Sequence, residues 1–135
     1  MHSYNLEYKN LKCFYWQHDI WLKAFELSKF FEAEFKNLPD ITDKLKEKTL
    51  ETVFDIHFNI AKALCSETLN ENIASTVLAQ NALEKNHKQI ITLLNYNKID
   101  NTFLRKYEVL QGRLENKLLN LKLNFFMKKE MEIKT

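Results

Sequence analysis

Seven apolar residues near the C-terminal end recur at spacings of 4, 3, 4, 4, 3 and 4 residues: Phe103, Tyr107, Leu110, Leu114, Leu118, Leu121 and Phe125. Such spacing places side chains on one face of an α-helix, close to the heptad seam of a coiled coil. Leu119, Leu123 and Phe126 form a second apolar stripe on the same segment. A helix with two apolar stripes buries one in its own bundle and the other against something else. Gly112 lies within this pattern and suggests close packing.

Three further segments show helical spacing, from about Trp16 to Leu38, from Ile41 to Leu64 and from Thr68 to Leu94. The predicted inward-facing residues are Trp21, Ala24, Phe25, Phe31, Phe35 and Leu38, then Leu45, Val53, Ile56, Ile60 and Leu64, then Ile73, Val77, Leu83, Ile90 and Leu94. With only 1 Gly and 1 Pro, the chain lacks the turn residues of an all-β fold. The sequence therefore predicts an all-α, antiparallel up-down-up-down four-helix bundle.

Helix ends are marked by local signals. Pro39 ends the first helix, and Asp40 is a candidate N-cap for the second. Thr68 with Glu71 fits a capping box for the third helix. Asp100 or Thr102 is expected to cap the fourth.

The 135 residues suit one domain, residues 1–135, with an N-terminal arm at 1–13 and a basic tail at 127–135. No signal peptide or membrane span is expected. Cys13 and Cys65 lack a CxxC spacing, so reduced thiols and a cytoplasmic location are predicted, with Cys65 a structural rather than a reactive thiol.

Positive charge is concentrated at the C-terminal end. From Arg105 onward there are 8 Lys or Arg residues against 4 Asp or Glu, although the whole chain carries only +2. A solvated helix face is the simpler interpretation, and an anionic partner is the alternative. The candidate nucleic-acid-binding residues are Arg105, Lys106, Arg113, Lys117, Lys122, Lys128 and Lys129.

Catalytic signals are weak. One Gly cannot build a phosphate loop, and no nucleophile constellation is visible, so no catalytic residue, cofactor, metal or small-molecule substrate is predicted. Glu84 and His87 form a single Glu-x-x-His pair, whereas a dinuclear bundle site needs two such pairs. His57 is expected to be a hydrogen-bonded histidine at the edge of the core. Aromatic rings in residues 13–21 favour core or interface packing over base stacking.

The stretch "FNIAKAL", residues 58–64, places an Asn and two Ala inside an apolar run. Small Ala61 and Ala63 allow a neighbouring backbone to approach closely. Asn59 is predicted to hydrogen-bond across helices or to a loop carbonyl, which would fix the register.

Several motifs together resemble the small four-helix-bundle proteins encoded in intervening sequences of 23S rRNA genes. "IWLKAFEL", residues 20–27, is similar to the opening signature of that family, through Trp21, Lys23, Ala24, Glu26 and Leu27. Pro39, the "NIA" of residues 59–61 and "LAQNALEK" at 78–85 follow in the family's order. Lys62 and Ala63 replace the "EG" that completes the family's motif, and this leaves open the related Avd accessory proteins of diversity-generating retroelements.

The resemblance implies a non-enzymatic four-helix bundle that forms a homopentamer and associates with RNA or DNA, or with a reverse transcriptase. A protein-interaction module without a nucleic-acid role is the alternative, and the mild net charge favours it. A metal-dependent bundle enzyme is a second rival, against which the unpaired Glu84 and His87 argue.

Overall fold

The computed structural model describes residues 8–134 and contains four α-helices after a short 3-10 turn at Tyr15–Gln17. The helices are α1 (Asp19–Phe35), α2 (Asp43–Cys65), α3 (Leu69–Asn95) and α4 (Asn101–Lys134). No strand occurs among these described residues. The structure thus confirms an all-α fold with four helices, separated where the sequence predicted breaks.

Side-chain caps explain where three of the helices begin. The Thr68 hydroxyl accepts from the Glu71 backbone N–H at 3.2 Å, and the Asp100 carboxylate accepts from the Phe103 N–H at 2.8 Å. At α2, the cap is Thr42, whose hydroxyl accepts from the Leu45 N–H at 3.3 Å. The prediction that Asp40 caps α2 is wrong, because an N-cap directly precedes the first helical residue and Asp40 lies too far upstream.

Each helix packs against two others, α2 against α1 and α3, and α4 against α3 and α1. The first apolar stripe of α4 lines the core, with Phe103, Tyr107, Leu114, Leu118 and Phe125 all buried. The Tyr107 hydroxyl donates to the Asn86 side-chain oxygen at 2.8 Å inside this core. This bond ties α4 to α3 at a single register.

Two predicted core residues, Leu45 and Val77, are instead exposed by 44% and 36%. Leu45 belongs to the first turn of α2. The inner face of α3 carries small and polar residues, including Thr76 and Ala79, rather than Val77. Thr76 can be buried because its hydroxyl donates to the Asn72 carbonyl at 2.7 Å.

The last helix is much longer than the others. α4 has 34 residues, against 17 in α1, 23 in α2 and 27 in α3. The expected basic tail at 127–135 is the continuation of α4 as far as Lys134. Within residues 8–134, none of the helices has the length and hydrophobicity that a membrane span requires. Most of the predicted arm, residues 1–7, lies outside the described part of the chain.

We predict that Leu114→Asp unfolds the domain, because it places an unpaired carboxylate at a fully buried position of α4. Leu78→Asp is the matched control, since Leu78 is 50% exposed on α3. Thermal melts followed by circular dichroism should show a cooperative transition for the control and none for Leu114→Asp. Equal melting temperatures for the two variants would contradict this placement of the core.

Candidate functional site

The second apolar stripe of α4 lies on the outside of the bundle. Val109, Leu119, Leu123 and Phe126 each expose between 45% and 51% of their surface. Gly112 lies on the same side of the helix, and a Cβ built there would meet no atom of the described residues within 4 Å. The close packing suggested for Gly112 therefore does not occur among residues 8–134. We call the surface formed by Val109, Gly112, Asn116, Leu119, Leu123 and Phe126 the outer seam.

Three of the seven predicted nucleic-acid-binding residues lie along the flank of α4 that faces α1. Lys106 pairs with Glu34 of α1 at 3.5 Å, and Lys117 pairs with Asp19 of α1 at 2.5 Å. The hydrogen bond from Lys117 lowers the pKa of the Asp19 carboxyl. Arg113 lies one helical turn before Lys117 and is exposed. These three cations form one row, although two of them already contact carboxylates.

The other four predicted residues are separated from that row. Lys129 lines a shallow cavity with Glu67 and Asn72, on the α3 side of α4, and Lys122 is one heptad before it. The Lys128 ammonium lies 5.9 Å from the centre of the Phe125 ring. Arg105 lies in line with the outer seam. The seven residues therefore occupy several faces of α4 rather than one surface.

Glu84 and His87 open onto a groove of about 510 Å³ between α3 and α4, with Gln111 and Glu115 on its opposite wall. Glu84 pairs with Lys88 at 3.5 Å, and Glu115 accepts from Gln111 at 2.9 Å. Across the described residues, no three His, Cys, Asp or Glu side chains come together as a group that could hold a metal ion. The lining of the groove is mostly polar, with Leu83 and Leu118 as its apolar members.

His57 is buried at the centre of an aromatic cluster on α2. The Tyr8 hydroxyl lies 2.5 Å from the His57 Nδ1 atom and accepts from the Trp21 indole N–H at 3.1 Å. Since the Tyr8 oxygen already accepts from Trp21, its own proton is available to neutral His57. Burial lowers the pKa of His57 to about 4. The prediction of a hydrogen-bonded histidine is confirmed.

Aromatic residues at 14–21 divide into two groups. Tyr15 stacks on Tyr8 and Trp21 stacks on Phe25, each pair with ring centres 5.0 Å apart. Phe14 and Trp16 remain 69% and 46% exposed. Packing therefore accounts for Tyr15 and Trp21, and only in part for the other two rings.

Cys13 and Cys65 form a disulfide, with their Cα atoms 5.3 Å apart. The expectation of two reduced thiols is therefore wrong. The bond joins the segment before α1 to the last residue of α2, 52 positions away. Spacing along the sequence did not reveal the pair, because the segment at residues 8–18 has no helical periodicity from which its path could be predicted.

Among residues 8–134, Asn59 makes neither of the predicted contacts, across helices or to a loop carbonyl. Its amide donates to the Asp55 carbonyl one turn earlier in α2, at 2.8 Å. Asn72 of α3 makes the inter-helix contact instead, donating to the carbonyls of Ala63 and Ser66 at 2.5 and 3.0 Å. Ala61 and Ala63 are fully buried, as their small size suggested.

Comparison of the sequence and structure with known protein families, curated proteins and solved structures finds no match. The similarity to the intervening-sequence proteins therefore stays a prediction from the motifs.

We predict that the fold loses stability in mild acid through His57. Its pKa falls from 6.5 to about 4 on folding, so its contribution is complete above pH 6.5 and is lost as the pH falls toward 4. The free energy of unfolding should drop by about 2 kcal/mol between pH 7 and pH 5 from this group alone. Urea titrations at pH 7 and pH 5, on the natural chain and on His57→Asn, isolate the contribution of His57. If the free energy of unfolding falls equally in both proteins, His57 is not the cause of the loss.

Removing the disulfide should also destabilise the fold. The closed loop spans 52 positions, and loop-closure entropy for that length gives about 4 kcal/mol. We expect Cys13→Ser to lower the free energy of unfolding by about 2 to 4 kcal/mol, and the Cys13→Ser, Cys65→Ser double variant to match it. If urea titration finds Cys13→Ser as stable as the natural chain, the bond contributes nothing.

Proposed function

We propose that this chain is a non-enzymatic accessory protein, a helical bundle that assembles with copies of itself and associates with nucleic acid. The observation that carries the assembly is the outer seam, where apolar side chains about half exposed follow one another along a single helix. Together with exposed Met127, Met131 and Ile133, they give the end of α4 an apolar surface. Large contiguous apolar surfaces are rare on monomers and mark interaction sites.

We propose that the helices run up-down-up-down, each antiparallel to the next. The connections at residues 36–42, 66–68 and 96–100 are short, and short connections favour antiparallel neighbours. The cyclic order of packing, α1 to α2 to α3 to α4 and back to α1, supports the same arrangement.

Nucleic acid is the proposed partner of the row formed by Lys106, Arg113 and Lys117. Cations along one helix flank suit a phosphate backbone, which they would bind without reading bases. The resemblance adds the association with RNA, DNA or a reverse transcriptase, and it also implies five copies in a ring. Both the polymerase partner and the number five stay predictions.

A protein-interaction module without a nucleic-acid role is the second candidate. Salt bridges of Lys106 to Glu34 and of Lys117 to Asp19 favour it, because paired lysines offer less net charge to a phosphate. Either function is compatible with self-assembly.

The cytoplasmic location stays a prediction from the sequence. The Cys13–Cys65 disulfide argues for an oxidising environment instead, because reducing compartments keep thiols free.

We predict that the natural chain binds duplex DNA and structured RNA in a salt-dependent manner. Raising monovalent salt from 50 to 200 mM should weaken binding to DNA roughly 40-fold if three phosphates are neutralised. Reversing Lys106, Arg113 and Lys117 to Glu should abolish binding to both. Fluorescence anisotropy of labelled duplexes measures each affinity.

A matched variant reverses Lys44, Lys48 and Lys85 to Glu, which makes the same charge change on α2 and α3. It should retain more than half of the binding free energy if the row on α4 is the site. Equal loss in both variants would show only a response to net charge. No binding by the natural chain at low salt selects the interaction module.

A further inference from the structure

The outer seam continues in both directions with a regular spacing. Adding Arg105 before it and Glu130 after it gives eight positions, whose steps are 4, 3, 4, 3, 4, 3 and 4 residues. This alternation is the a/d pattern of a two-stranded coiled coil, over about 38 Å of helix. Arg105 and Glu130 are both exposed, like most of the seam between them. A second helix of the same periodicity therefore fits this face.

The pattern reads the same from either end, so it can be laid against itself in the opposite direction. Val109 then faces Phe126 of the second copy, and Gly112 faces Leu123. The smallest side chains of the seam therefore meet two of the largest. The open space around Gly112 is where an opposing Leu123 side chain would fit.

The charged ends of the seam are complementary in this antiparallel arrangement. Arg105 faces Glu130 of the second copy, so the two ionised positions pair at both ends. In a parallel arrangement the same residues would face themselves, placing Arg105 against Arg105 and Glu130 against Glu130. Like charges directly opposed disfavour that alternative.

The flank next to the seam repeats the complementarity. Glu108, Glu115, Lys122 and Lys129 follow one another every seven residues. In antiparallel coiled-coil geometry, equivalent flanks of the two helices run beside each other. Glu108 then lies beside Lys129 of the second copy, and Glu115 beside Lys122. The two-fold axis repeats each of these pairs with the two copies exchanged, so the flank contains four pairs, all of opposite charge.

We infer that α4 pairs with α4 of a second copy of this chain, antiparallel, about a two-fold axis between residues 117 and 118. The inference rests on the proposed self-assembly and names its partner and its geometry. Such a contact is isologous and closes on itself, so it produces a dimer, whereas a five-fold ring needs a heterologous contact.

The first experiment measures mass by sedimentation equilibrium at tens of micromolar protein. The natural chain should have twice the 16.2 kDa of one chain. Gly112→Glu should have the mass of a single chain, because it places an unpaired carboxylate against the apolar Leu123 side chain of the second copy. The fold of that variant should be intact, since no atom of residues 8–134 lies within 4 Å of the added Cβ and Glu favours helix over Gly.

The second experiment exchanges flank charges. Changing Glu108 and Glu115 to Lys gives a chain whose four flank residues are all basic, and changing Lys122 and Lys129 to Glu gives one whose flank is all acidic. Each variant alone should be monomeric, at least tenfold weaker in self-association than the natural chain. An equimolar mixture should restore the dimer, because only antiparallel flanks bring these positions together.

The outcomes separate this inference from the proposed function. A natural chain of single mass overturns both self-assembly and the pairing. An assembled natural chain whose mass is unchanged in Gly112→Glu, or whose mass is five-fold, overturns the pairing alone. Failure of the mixed flank variants to associate also overturns the antiparallel arrangement, whatever the nucleic-acid titrations show.

Discussion

The bundle depends on the way the helical repeat divides α4 into an inner and an outer face. The inner face fills the core with Tyr107, Leu114 and Leu118, each fully buried. A buried hydrogen bond from Tyr107 to Asn86 adds a constraint that apolar packing lacks, because it is satisfied at only one register of α4 on α3. With the inner face fixed, the orientation of the outer face follows. Its exposure is thus a consequence of the core.

Large apolar residues at helical spacing were enough to predict the four helices and most of the core. The stripe from Phe103 to Phe125 is the clearest case, because all seven of its positions are buried or half-buried. The inner face of α3 could not be predicted in this way, since its buried Thr76 and Asn86 are satisfied by hydrogen bonds rather than chosen by hydrophobicity. Thr76 bonds within α3, and Asn86 accepts from Tyr107 of α4. Hydrophobicity alone favours Val77 for the core, whereas its neighbours Thr76 and Ala79 are the residues buried there.

The candidate site was predicted less well, for two different reasons. Positive charge was correctly located on the last helix, but a helix of 3.6 residues per turn sends Arg113 and Lys122 to different sides. The spacing of these residues along the sequence is therefore enough to predict that they lie on different sides of the helix. By contrast, the contacts of Tyr8 with His57 and of Cys13 with Cys65 depend on the path of residues 8–18. No periodic signal encodes that path, so these contacts required the structure.

These two contacts also explain why α4, rather than α2, presents the open surface. Tyr8 covers the aromatic side of α2 around Phe54 and Phe58, and the disulfide holds the same segment near the end of that helix. The apolar outside of α2 is therefore covered by the chain itself. No described segment covers the outer seam of α4 in this way, so its apolar side chains stay about half exposed.

Pairing through the outer seam would also change how positive charge is arranged, because the cations of a single chain lie on several faces of α4. In an antiparallel pair, Glu108 and Glu115 neutralise Lys129 and Lys122 of the other copy along one flank. The opposite flanks carry Lys106 and Arg113 from both copies, and in this geometry they lie on the same side of the pair. One side becomes electrically balanced while the other collects cations from two chains. The proposed assembly surface and the proposed nucleic-acid surface would then be consecutive faces of one helix, and the second would gain strength from the first because a phosphate backbone responds to the summed field of nearby charges.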